Sequence, residues 1–178
     1  MEGEDVNWTV SNRADKRALP LADRHYNRQK PGTPQFVPPG RCLVLLSVDG
    51  QALWVTSWPF AQFVKHAWPG AWVNSLFRRE GGALASDLIR QAIAVTRWAW
   101  PDVPSLGIIT FVDRTKIHHK RDPGRCYLRA GFRRCGFSKD GKIALQLLAR
   151  DMPQAEAPVM GGLFAPAACG KWKQGEGG

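Results

Sequence analysis

The chain has 178 residues, 44% of them apolar and 22% charged, which is enough to bury the core of one domain of common size. Lys and Arg outnumber Asp and Glu by 25 to 15, and residues 107–142 hold ten of those cations against three carboxylates, so this stretch carries +7 of the net +10. No run approaches the roughly 18 apolar residues of a spanning helix, and MEGEDVNWTV lacks the basic start and apolar centre of a signal peptide, so the expectation is a soluble cytoplasmic protein with no membrane partner. The four cysteines (Cys42, Cys126, Cys135, Cys169) form no CxxC pair and suit neither a zinc ribbon nor a disulfide scaffold. They read as reduced thiols.

In chain order, residues 1–41 are polar and broken by five prolines, with one helix expected over Asp15–Tyr26 that Pro20 must kink or divide. They belong to the same domain as the core that follows, which is expected over 42–150. CLVLLSV (42–48) and QALWVTS (51–57) are β-rich runs joined by Asp49-Gly50, a hairpin signal. AWVNSLF (71–77) is the next strand candidate. From Ser86, a candidate helix cap, Leu88, Ile89, Ala92, Ile93, Val95 and Thr96 recur at helical spacing, and Pro101 stops the helix near Trp100. LGIITFV (106–112) has the continuous apolar character of a buried strand. A polar loop follows, then a short helix RCYLRAG, then strands FRRCGF and KIALQLL. Residues 151–178 read as a flexible C-terminal tail. The order predicts an α/β fold with a mixed sheet flanked by helices.

Several residues carry candidate chemistry on their own type and place. The +7 segment favours a polyanion such as nucleic acid, or a phosphorylated cofactor, against a merely solvated basic face. Within it Arg114, Lys116, Lys120, Arg121 and Arg125 crowd one loop. Asp113 ends the LGIITFV strand, where an α/β site usually opens, although an Asp there also commonly starts a turn. His25 and Tyr26 adjoin the proline loop, where an aromatic face and an imidazole suit an extruded base or simply pack a helix end. Asn74 is a polar group inside a strand. His118 and His119 with Cys126 and Cys135 match no metal-ligand spacing, so no metal is expected. Of eight tryptophans, Trp54 and Trp72 read as core, while Trp58 and Trp68 lie in a loop-rich segment where a ring can stack on bases.

The element order, together with RREGGALASDLIRQAI after the strand AWVNSLF, resembles the GNAT superfamily of acyl-CoA N-acyltransferases. The family's [RQ]-x-x-G-x-[GA] loop matches Arg78-Arg79-Glu80-Gly81-Gly82-Ala83, which with Ser86 would cradle the pyrophosphate of acetyl-CoA or another acyl-CoA. Glycines permit close backbone approach, and a helix N-terminus favours an anion. A narrower likeness is carried by ADRHYNRQKPG, DGQALWVTSWPFA, RWAWPDVPSLGIITFVD and PGRCYLRAGFRRCG, which look like the phage Mom-type DNA-modification proteins, a divergent GNAT branch. This resemblance covers residues 22–136. It implies transfer of a small acyl-derived group to the exocyclic amine of a base in double-stranded DNA, adenine in the best-known branch, protecting phage DNA from restriction. It also implies Tyr127 as the acid at the leaving thiolate, Asp113 as orienter or base, and His25 and Tyr26 at the base pocket. Two other readings stay open: an N-acetyltransferase acting on a metabolite or protein amine, and a basic DNA-binding protein without catalysis.

Overall fold

A computed structural model describes residues 5–28, 30–117 and 122–160. They form a mixed α/β fold around one seven-stranded sheet. The strands are β1 (Trp8–Val10), β2 (Arg41–Ser47), β3 (Ala52–Trp58), β4 (Trp72–Arg79), β5 (Ile108–Val112), β6 (Arg133–Phe137) and β7 (Ile143–Leu147), and the helices are α1 (Leu19–Asp23), α2 (Ala85–Ala99) and α3 (Arg125–Arg129). In space the strands run β1-β2-β3-β4-β5-β7-β6, and every neighbouring pair is antiparallel except β4 with β5. That parallel pair is the strand–helix–strand unit whose crossover is α2. Among the described residues no helix is long and apolar enough to cross a membrane.

Both faces of β2, β3, β5 and β7 are covered, which is why these strands read as continuous apolar runs, whereas the edge strand β6 is exposed. On one face Leu88, Ile89, Ala92 and Ile93 of α2 pack with Leu43, Leu45, Trp54, Trp72, Ile108, Leu145 and Leu147. The opposite face of β2, β3 and β4 carries Val44, Leu46, Leu53, Val55 and Leu76, closed by Leu21 and Ala22 of α1 and by Phe36. Further along that same side Trp68 and Phe111 pack with Ile109 and Ala144.

Several expectations change. β1 lies in the polar N-terminal stretch. Its Trp8 is fully buried and donates its indole N–H to the Leu88 carbonyl at 2.8 Å, tying the N-terminus to α2. The helix expected over Asp15–Tyr26 is only Leu19–Asp23, with Pro20 inside its first turn, where its missing N–H costs nothing. The β2–β3 connection spans residues 48–51 rather than two, because the Asp49 carboxylate accepts from both the Ser47 hydroxyl and the Gln51 N–H. Ser86 does not cap α2: the helix begins at Ala85 after Leu84, with no side-chain cap. The expected tail is not loose up to Val159. Met152 is buried, Glu156 N–H bonds the Ala94 carbonyl, and Val159 N–H bonds the Trp8 carbonyl. Residues 161–178, with Cys169 and Trp172, lie outside the described residues, as do Lys120, Arg121, His118 and His119.

Candidate functional site

The register between β4 and β5 runs from Trp72↔Ile108 to Asn74↔Thr110 and stops there, while β5 continues to pair with β7 through Val112. The two parallel strands therefore part after Asn74. The cause lies in β4, where Val55 faces Leu76 and Thr56 faces Asn74, so Ser75 is an extra residue that bulges the strand. Asn74 takes up the broken ladder with its side chain. Its Nδ2 donates to the Val55 carbonyl at 3.0 Å and the Leu76 carbonyl at 2.9 Å, and its Oδ1 accepts the Tyr127 hydroxyl at 2.6 Å. Thr110 Oγ1 stands 3.3 Å from the same Oδ1.

A cavity of about 880 Å³ opens at this parting. Its lining comes from both sides of the sheet: Leu84, Ala85, Ser86, Arg125 and Arg129 belong to the α2 and α3 side, whereas His25, Tyr26 and Asn27 follow α1 on the other. The cleft thus has walls from both sides of the sheet, and Asn74, Thr110 and Tyr127 line it where the strands separate. Ser75 Oγ, also in the lining, is buried without a hydrogen-bond partner.

Electrostatics set the protonation states. Burial pushes the Tyr127 phenol well above its usual value, with the neighbouring Cys126 thiol acting in the same sense, so the phenol keeps its proton at neutral pH. Gly124, in the left-handed region at φ +82°, starts the short helix that carries Tyr127, and a Cβ there would press on Leu145. His25 stacks on Tyr26 with ring centroids 4.5 Å apart. Its pKa is lowered to about 4, first by burial and then by the Arg78 guanidinium, although a bond to the Phe77 backbone works the other way. The imidazole is therefore neutral at pH 7, with Nδ1 accepting the Asn27 N–H at 3.2 Å. Burial also raises the Tyr26 phenol, which sits against the Asp113 backbone.

The remaining predicted residues divide. Arg78 and Arg79 line the cleft, but Arg78 donates to the Arg24 carbonyl at 2.6 Å, and Arg79 donates to the Ala83 and Gly82 carbonyls at 2.6 and 3.1 Å. The Arg79 guanidinium thus shapes the loop, whereas that of Arg78 reaches the segment after α1 and leaves its Nε buried without a hydrogen-bond partner among the described residues. Gly81 and Gly82 do not line the cleft. They lie against the β2–β3 turn, where a Cβ on Gly81 would press on Gln51 and one on Gly82, held at φ +80°, would collide with the Asp49 carboxylate. The left-handed backbone of Gly82 beside the Asp49 carboxylate accounts for its glycine, and Ala83 packs against the core. Asp113 is also outside the lining. Its carboxylate accepts the Thr115 N–H at 3.0 Å and hydroxyl at 2.6 Å in a turn, which lowers its pKa. Lys116 and Arg125 line the cleft, and Arg114 is exposed outside it.

The groups left open toward an anion are therefore Lys116, Arg125 and Arg129, none of which has a carboxylate partner among the described residues, and the first-turn N–H groups of α2. Asp122, the one acidic residue of the lining, is paired with Arg134 at 2.8 Å. Among the described residues no group of three His, Cys, Asp or Glu is arranged to hold a metal. Asn74 was visible in the sequence as a polar residue in an apolar strand; nothing local marked Ser75 or Arg129. Compared with known proteins, the chain matches no family model, no curated protein and no solved structure.

Proposed function

We propose that this chain is a DNA base-modifying transferase with a GNAT-like core. It would pass a small acyl-derived group from an acyl-CoA-type donor to the exocyclic amine of a base in double-stranded DNA, adenine first among the candidates. Its role would be that of a Mom-like phage protein, protecting DNA from restriction. The observation that carries the reading is the two-sided cleft at the parting of β4 and β5, lined by the protonated Tyr127 hydroxyl. Transfer between two bulky partners brings both to one point, and walls from both sides of the sheet support that reading.

The α2 side fits the phosphates of the donor. Arg125, Arg129 and the uncapped N–H groups at Ala85 and Ser86 offer positive charge and directed donors at one rim. Past Asn74, β4 has no strand partner on its β5 side among the described residues, leaving backbone groups for an extended amide-bearing chain. Such a donor supplies an activated acyl carbonyl when bound. On the other side, the stacked His25–Tyr26 pair and Asn27 present a flat aromatic surface and an amide to a planar heterocycle. Tyr127 Oη holds a proton that a developing anion in the cleft can take from it.

The test is mass spectrometry of nucleosides from the DNA of cells expressing the protein. A new adduct nucleoside, lost in Tyr127→Phe, is expected. Unmodified DNA from the wild type, with calorimetric binding of acetyl-CoA retained, would transfer the cleft to a small-molecule or protein amine.

A further inference from the structure

We infer that the turn bearing Phe60 and Phe63 is a wedge that enters the DNA duplex beside the base-side mouth of the cleft; the inference rests on the DNA reading above. The chain between β3 and β4 leaves the sheet at Trp58 and forms a single 3₁₀ turn over Ala61–Phe63. Three-residue spacing puts Phe60 and Phe63 one above the other on that turn, their rings edge to face at 6.4 Å. They are 73% and 71% exposed, so two large apolar side chains are held together in water. A single exposed Phe is ordinary, but a fixed pair at a loop tip is a preformed apolar surface.

The tip is held by a braced base. Trp58 Nε1 donates to the Gly70 carbonyl at 3.2 Å, closing the ends of the loop on each other. Trp68 N–H donates to His66 Nδ1, and both rings pack on Phe111 at 5.3 and 6.0 Å. Phe111 lines the cleft, so the loop that presents the pair is continuous with the wall of the substrate mouth.

The occupant follows from charge and from the task. At net +10, with Lys65 exposed two residues after Phe63, like copies repel and a polyanion is attracted. A base amine cannot reach a cleft of this kind while stacked, and apolar side chains driven between base steps are a general means of unstacking them.

The experiment is relaxation of a closed plasmid by topoisomerase with bound protein, comparing wild type and Phe60→Ser/Phe63→Ser. Insertion unwinds DNA whatever its sequence. The wild type is expected to shift the topoisomer distribution and the double variant to lose the shift, with duplex affinity by anisotropy retained within about threefold because phosphate contacts dominate it. Both side chains are exposed, so the variant should keep the wild-type melting temperature. An equal shift from both proteins overturns the wedge while leaving the DNA reading intact. Absence of any wild-type binding to duplex overturns both. A wild-type dimer that the double variant abolishes in sedimentation, or wild-type binding to phosphatidylserine vesicles in place of plasmid unwinding, would assign the pair to a second copy or to lipid and overturn the wedge.

Discussion

Replacing Asn74 by Ala probes the joint on which the cleft depends. Asn74 is buried, and its loss leaves the Val55 and Leu76 carbonyls without their side-chain donor and the Tyr127 hydroxyl without its acceptor. A buried polar group left unpaired costs about 1–3 kcal/mol, so three such groups put the loss near 4 kcal/mol, allowing for partial relaxation. This is a large share of the ~5–15 kcal/mol that holds a typical domain together. At this chain length it corresponds to a fall in melting temperature of roughly 8–16 °C. Tyr127→Phe removes a donor and leaves Thr110 Oγ1 beside Asn74 Oδ1, so its cost should be only about 1 kcal/mol. In the double variant the phenol is no longer orphaned, and the combined loss should fall short of the sum by about 1 kcal/mol. Urea unfolding of the four proteins, with m-values checked for constancy, measures each quantity. An Asn74→Ala variant within about 1 kcal/mol of wild type, or a strictly additive cycle, would refute the keystone role of Asn74.

Three further outcomes follow from the site. Tyr127→Phe should lower adduct formation by about two orders of magnitude or more, the usual weight of a positioned acid, whereas Asp113→Asn, whose carboxylate is turned to Thr115, should stay within about threefold in the same nucleoside assay. His25 binds a proton more weakly folded, at about 4, than unfolded, at 6.5, so the unfolded state gains protons first and stability declines as pH falls through that window, by up to about 3 kcal/mol. His25→Gln should flatten the decline between pH 6.5 and 4 in denaturant titrations; it will not abolish it, because burial lowers His66 in the same sense, and Asp15, held at about 2 by Arg17, acts only at lower pH. Finally, Arg114→Ala/Lys116→Ala, both exposed on the loop after β5, should reduce the slope of log K against log salt for duplex DNA by roughly two in anisotropy titrations, and an unchanged slope would return these cations to a solvated face.

Local signals determined most of the secondary structure. The helical spacing from Leu88 to Thr96, the stop before Pro101, and the β-rich runs around Val44, Trp54, Ile109 and Leu145 are carried by residues within a turn or two of one another, so α2 and most of the strands were legible. The candidate site was legible only in part. Tyr127, His25 and Tyr26 line the cleft, but Asp113 stands at a strand end with its carboxylate turned away, because a bond to Thr115 two residues on is available without any tertiary contact. Gly81 and Gly82 read as a phosphate loop, yet what they approach is a turn about 30 residues earlier in the chain. Three-residue β1 had too short a pattern to declare itself and exists because Trp8 reaches Leu88, 80 residues away. The parting of β4 from β5 likewise depends on a bulge at Ser75 and on Asn74 meeting a phenol 53 residues later. Periodicity and propensity act along the chain over a few residues, whereas a cleft arises from which edges are left unpaired when distant strands meet. That pairing was decided by tertiary structure alone.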